Sequence, residues 1–131
     1  MKIKKEILDQ MIAHARGGLP LEICGYLASD QGVVVKHYEL TNIDQSEEHF
    51  SFDPQEQFAT VKDARVKNLD LCAVYHSHPV TPARPSQEDI RLAYDPNISY
   101  VIISMENDSG DVKSFKIKDS VVTPEEIEIV D

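Results

Sequence analysis

The sequence predicts an α/β fold built on a single mixed β-sheet flanked by helices on both faces. Three observations carry this. Helix-like and strand-like segments alternate in the order α β β α β α β β, without a glycine-rich phosphate loop. Two apolar runs, residues 71–75 and 100–104, are too short for helices and read as buried central strands. The length of 131 residues suits one domain around one core, so residues 1–131 are taken as a single unit.

Each element follows from local pattern. Ile3, Ile7, Leu8, Met11, Ile12 and Ala15 recur at helical spacing and predict an amphipathic helix over residues 3–16. Gly17-Gly18 ends it, and Pro20 prevents its resumption. Residues 23–28 and 33–40 are strand-like, joined by Ser29-Asp30-Gln31-Gly32 as a hairpin. Residues 41–53 are polar and read as a loop, with a short strand possible at 50–52. Asp53 suits an N-cap and Pro54 a first helical turn. Phe58, Val61, Ala64 and Arg65 mark the face of a helix running to residue 68. The central strand 71–75 comes next, then a short helix over 86–94 stopped by Asp95-Pro96. Strand 100–104 turns at 107–110 into a hairpin partner at 112–117. Residues 125–130, with alternating Ile127 and Ile129, add a last edge strand or fray.

Composition narrows the function. Apolar residues make up 41% and charged residues 27%, as in an ordinary globular protein. The net charge of -10 repels a nucleic-acid backbone, so no nucleic-acid partner is expected. No apolar run approaches the roughly 20 residues that span a bilayer, and the first residues lack signal-peptide character. A cytoplasmic protein with no membrane partner is expected. Cys24 and Cys72 lie in apolar strand-like runs and read as buried small hydrophobes, too few for a disulfide framework.

The chemistry is concentrated in His76-Ser77-His78-Pro79, followed after seven residues by Ser86 and then by Asp89. Residues two apart on a strand share a face, so both imidazoles can reach one ion. Asp89 opens the next helix, and a loop stiffened by Pro79, Pro82 and Pro85 can fold it back. Two histidines and one acid are one ligand short of a closed zinc shell, which is what a catalytic zinc site requires. The chain reads as a metal-dependent hydrolase. A structural reading stands beside this one: Ser86 as N-cap and Asp89 at N3 also make a capping sequence. The same ligand types make the facial triad of non-haem iron oxygenases. A non-catalytic binding module, its metal merely fixing a loop, is the third reading.

The combination is more specific than its parts. Glu22 within Pro20-Leu21-Glu22-Ile23-Cys24-Gly25-Tyr26-Leu27, followed by the His-Ser-His-Pro run, Ser86 and Asp89, resembles the JAMM (MPN-plus) metalloprotease family, in its small prokaryotic form. The resemblance implies an α/β/α layer like that of cytidine deaminases and one Zn2+ per chain. It implies His76, His78 and Asp89 as zinc ligands. Glu22 then takes a proton from the attacking water and passes it to the leaving amine, and Ser86 hydrogen-bonds the reacting carbonyl oxygen. The compact length resembles the subfamily that cuts after the Gly-Gly terminus of ubiquitin-like or sulfur-carrier proteins. The implied partner is such a protein's C-terminal tail, adding as a strand to a sheet edge beside the metal. A general small-peptide or isopeptide cleaver, or an MPN-type binding module with a structural metal, are the alternatives. His14 reads as a surface or boundary residue, His37 as exposed, His49 as a loop residue within possible reach of substrate, and Arg84 as a substrate clamp or a loop ion pair.

Overall fold

The computed structural model describes all 131 residues. The elements are β1 (Lys2–Lys4), α1 (Lys5–Gly18), β2 (Cys24–Asp30), β3 (Val33–Leu40), α2 (Pro54–Val66), β4 (Asp70–His78), α3 (Gln87–Arg91), β5 (Ser99–Ser104), β6 (Asp111–Lys118), β7 (Val121–Glu125) and β8 (Glu128–Val130). All eight strands form one sheet in the order β7-β6-β5-β4-β2-β3-β1-β8. The β4–β5, β1–β3 and β1–β8 pairs are parallel and the rest antiparallel, so the sheet is mixed, as expected.

Strand alternation sorts side chains to two faces. Ala73 and Tyr75 of β4 join Ile23, Leu27, Val34, Val101 and Ile103 in a core closed by Ile7, Met11 and Ala15 of α1. The opposite face carries Val74, His76 and His78, with Ile102, Phe115 and Ile117 beneath α3. The α2 helix leans on that same face through polar contacts: Tyr38 Oη donates to Asp63 and Gln57 Nε2 donates to Tyr26 Oη. No helix is long and apolar enough to cross a membrane.

The two edges of the sheet meet. Strands β7 and β8 sit at opposite ends of the strand order, yet only residues 126 and 127 separate them. Three extended residue steps span at most about 11 Å, so the sheet must curl until its edges come together there. Ser99 Oγ and Ser114 Oγ both donate to Glu125 at 2.6 Å beside the seam.

Several expectations need correction. Residues 2–4 are a strand rather than the start of the first helix, because Ile3 keeps helical phase with Ile7 and Met11 while its backbone pairs with β3 and β8. The helix runs on through Gly17-Gly18 and stops at Leu19, before Pro20. The last segment is two strands, with β7 on β6 and β8 on β1. Of the expected α2 face only Ala64 is buried, joined by Thr60, while Phe58 is 74% exposed and Val61 and Arg65 are exposed too. Other expectations hold. Asp53 caps α2 by accepting from the Gln55 N–H, with Pro54 in the first turn. The β2–β3 turn places Gln31 at φ 50 and Gly32 at φ 82, the left-handed pair that a tight hairpin uses.

Candidate active site

His76 and His78 lie within β4, not beyond its end, and alternation points both to the α2–α3 face. Ser77 between them points the other way. Its Oγ accepts the Ile23 N–H at 2.8 Å and its N–H donates to Ile23 O at 3.0 Å, so it fastens the start of β2 to the end of β4. Register then decides where Glu22 goes. Cys24 pairs with His76, and two residues further along the antiparallel pair Glu22 comes opposite His78. The residue is 4% exposed.

The Pro-rich loop after β4 folds α3 back over the histidines. His76 Nε2 and His78 Nε2 are 3.1 Å apart, and Asp89 Oδ2 lies 3.2 Å from the first and 3.1 Å from the second. This is a near-equilateral triangle of donor atoms. Zinc ligands at about 2.0–2.2 Å in tetrahedral array stand about 3.3 Å from one another, so the three atoms fit one such ion with a fourth position left open. The tautomer also fits. His78 Nδ1 is 2.9 Å from Pro82 O, so it carries the proton and donates, leaving the Nε2 lone pair free.

Asp89 does two jobs. The same Oδ2 accepts the Ser86 N–H at 2.9 Å, and the Asp89 N–H donates to Ser86 Oγ at 3.0 Å, a complete capping box. The structural reading of Ser86-x-x-Asp89 is thus satisfied together with the cluster, and the Ser86 hydroxyl proton remains free to donate.

Electrostatics differ between the two acids. Burial opposes ionisation of Asp89, but the adjoining His76 and His78 imidazoles and the Ser86 N–H outweigh it and hold its carboxyl well below the ordinary carboxylate range. Burial pushes Glu22 up to about 8; the nearby His78 works against this, and Asp89 adds to it. Two neighbouring carboxylates with affinities driven apart in this way suit separate roles, one as a permanent anion and one as a proton carrier.

Beside the cluster lies a cavity of about 420 Å³, bordered by His76 and Asp89 and lined by Tyr26, Phe52, Leu92 and Tyr100 among others. No Lys or Arg lines it. Its wall is partly the 41–53 loop. Phe50 stacks on the His76 ring at 4.7 Å, and Phe52 stacks on Tyr26 at 5.0 Å. His49 is exposed and pairs with Asp44 rather than entering the cluster. His37, expected exposed, has its side chain 15% exposed, pairs with Glu39, and shares a separate patch with His14, which contacts Tyr75 Oη at 2.9 Å. Arg84 lies beyond the cavity, near Asp111 and Lys113. Both cysteines are free; Cys24 is fully buried as expected, its thiol pushed up to about 12 by burial, whereas Cys72 is only half-buried, its thiol also raised by burial. Sequence reasoning assigned no role to Ser77, Asn42 or Phe50. Ser77 and Phe50 meet partners distant in the chain, and Asn42 bonds backbone groups that any residue carries, so local pattern held no signal for them.

Residues 4–118 match the family model described as prokaryotic homologs of the JAB domain. The chain is 32% identical over 132 residues to a CysO-cysteine peptidase of Mycobacterium tuberculosis, covering 98% of this chain and 90% of that protein. It is 29% identical over 111 residues to a desampylase of Haloferax volcanii, covering 79% and 80%. Among solved structures, a protein of Desulfitobacterium hafniense is 47% identical and superposes with a TM-score of 0.90 over 98% of this chain and 92% of that one. A JAB1/MPN domain protein of Archaeoglobus fulgidus, at 21% identity, shares the fold over the full length of both chains, TM-score 0.70.

Proposed function

The chain belongs to the family of prokaryotic homologs of the JAB domain, the small JAMM type, and from that premise we propose that it is a zinc-dependent peptidase working in the cytoplasm as a single domain. Its substrate is an amide bond following the C-terminal Gly-Gly of a ubiquitin-like or sulfur-carrier protein. The observation that carries this reading is the donor triangle of His76, His78 and Asp89 with the buried Glu22 across the strand pair from His78.

His76, His78 and Asp89 would hold the metal. A zinc ion held there supplies a water made nucleophilic near neutral pH and a pull on the substrate carbonyl. Glu22 takes the proton from the attacking water and returns it to the leaving amine; its raised proton affinity suits both steps. Ser86 donates its hydroxyl to the oxygen that gains charge as the carbonyl carbon becomes tetrahedral. The cavity beside the cluster offers an apolar, cation-free wall to an extended tail. Strands β2 and β4 are interior to the sheet, so the tail does not add to a sheet edge here. The backbone of Phe50 and Phe52, in the loop that walls the cavity, is what can pair with it. The names of the relatives favour peptidase action over a non-catalytic module.

The deciding experiment is cleavage of a carrier–Gly-Gly–amino-acid adduct by the full chain, with and without chelator, alongside zinc content. Expected are one zinc per chain and loss of cleavage on chelation. An unchanged zinc content in the double variant His76→Ala, His78→Ala places the metal elsewhere. Chelator-resistant cleavage removes the metal from the mechanism.

A further inference from the structure

Asn42 closes a polar hub between the candidate base and the aromatic wall over His76. Its side chain is buried and uses its full hydrogen-bonding capacity. Nδ2 donates to Glu22 O and to His49 O, both at 3.0 Å. Oδ1 accepts from the Asp44 N–H at 3.0 Å and the Ser51 N–H at 3.3 Å. The amide orientation follows from these partners, since two carbonyls face one end and two N–H groups the other. The two bonds from Nδ2 tie Asn42 to parts of the site. Glu22 is held from both sides of its backbone, because its N–H also donates to Ser46 O of the same loop at 2.9 Å. His49 precedes Phe50, the ring stacked on His76. The Asn42–Phe52 bridge and the Ile43 N–H to Ser51 O bond hold the two arms of the loop together.

We propose that Asn42 is a positioning residue for the reaction: through one side chain it fixes the backbone of Glu22 and the Phe50 wall of His76 relative to each other. It rests on the peptidase reading for its catalytic consequence, but not for its structural one. The physical reason is reach. Glu22 lies just before β2, beyond the β2–β3 ladder, so that ladder does not hold it. Without the loop, only the Ile23–Ser77 pair would restrain it on the cluster side. A polar side chain with four partners costs much to disturb, because its removal leaves the Glu22 carbonyl unpaired in a buried setting.

The test uses the full chain with Asn42→Ala and Asn42→Asp. The second keeps both acceptances and removes both donations, and it stands in where the first fails to fold. The first readout is hydrogen exchange at single amides of the metal-free chain, which needs no turnover. The Glu22 and Ile43 amides are expected to exchange at least ~10-fold faster, while the core Ser77 amide stays unchanged. The second readout is kinetics of the zinc-loaded chain on a carrier–Gly-Gly–amino-acid adduct. There kcat is expected to fall ~10–100-fold with KM within about threefold and zinc retained, as for a misplaced group rather than lost binding. Unchanged exchange at Glu22, a loss confined to KM, or full kcat overturns the proposal. If the unaltered chain cleaves no adduct, the peptidase reading fails, and the exchange rates still decide whether Asn42 holds Glu22.

Discussion

Asp89 Oδ2 is shared between a helix cap and a metal-ready cluster, accepting from the Ser86 backbone while facing two imidazoles. Substitution can separate the two uses. Asp89→Asn leaves an acceptor for the cap and removes the charge, so it is expected to keep the melting temperature and lose zinc. Asp89→Ala loses the zinc and roughly 1 kcal/mol of capping as well. Equal melting temperatures for the two variants would show the cap to be idle. Glu22 makes the complementary case. Glu22→Gln is expected to retain zinc and lose turnover by ~10²–10⁴-fold, the usual share of general acid–base catalysis. Its burial also gives a pH signature in the metal-free chain. The unfolded group ionises near 4.5 and the folded one near 8. Stability from the neutral, buried carboxyl is therefore fully present below pH 4.5 and is lost as pH rises through 8. Glu22→Gln removes that loss, so above pH 8 it is expected to exceed the unaltered chain by roughly 1–3 kcal/mol, with the advantage vanishing at pH 4. Urea unfolding across this range measures it, and parallel curves for the two chains would refute it.

At the scale of elements, the β2–β4 pair sets the site, and its register depends on one close approach. Gly25 pairs with Tyr75, whose fully buried ring lies across it. A Cβ at position 25 would overlap that ring and the Tyr38 carbonyl. Gly25→Ala is expected to cost about 1–3 kcal/mol by overpacking, read as a lower urea midpoint, with zinc binding weakened because Tyr75 and His76 are neighbours. A neutral outcome would mean that the ring relocates freely. The same scale explains one misread helix. Phe58, Val61, Ala64 and Arg65 marked a face for α2; of these only Ala64 is buried, and the helix meets the sheet largely through Glu56, Gln57 and Asp63, which bond Thr41, Tyr26 and Tyr38. Apolar spacing identifies a helix; it does not say which surface receives it. By contrast, α1 was legible because Ile7, Met11 and Ala15 all meet one apolar sheet face.

At the scale of the molecule, the curled sheet leaves little room for added recognition. The eight strands and three helices take 81 of the 131 residues, and the longest segment outside them is the loop at 41–53 that walls the site. A substrate of one folded carrier with an extended tail suits this size better than two ubiquitin units. Turnover is therefore expected to rank a carrier–Gly-Gly adduct above the same tail as a free peptide, and both above lysine-linked diubiquitin. Equal rates on carrier and free peptide would remove the carrier from recognition, and preference for diubiquitin would remove the substrate class.

The residues of the cluster were readable in one dimension because their chemistry depends on spacing along a strand and a short loop. His76 and His78 share a face by alternation alone, and three prolines and a capping box bring Asp89 back within fourteen residues. Glu22 was found by its motif, but its place opposite His78 comes from the β2–β4 register. The sheet's curl, the split of residues 121–130 between opposite edges, and the four-bond hub of Asn42 were decided only by tertiary structure. The first two join strands far apart in the chain through backbone hydrogen bonds, and the hub gathers backbone groups of its own loop and of Glu22 onto one side chain. Every peptide unit carries the same donor and acceptor, so the local sequence does not mark which ones will meet.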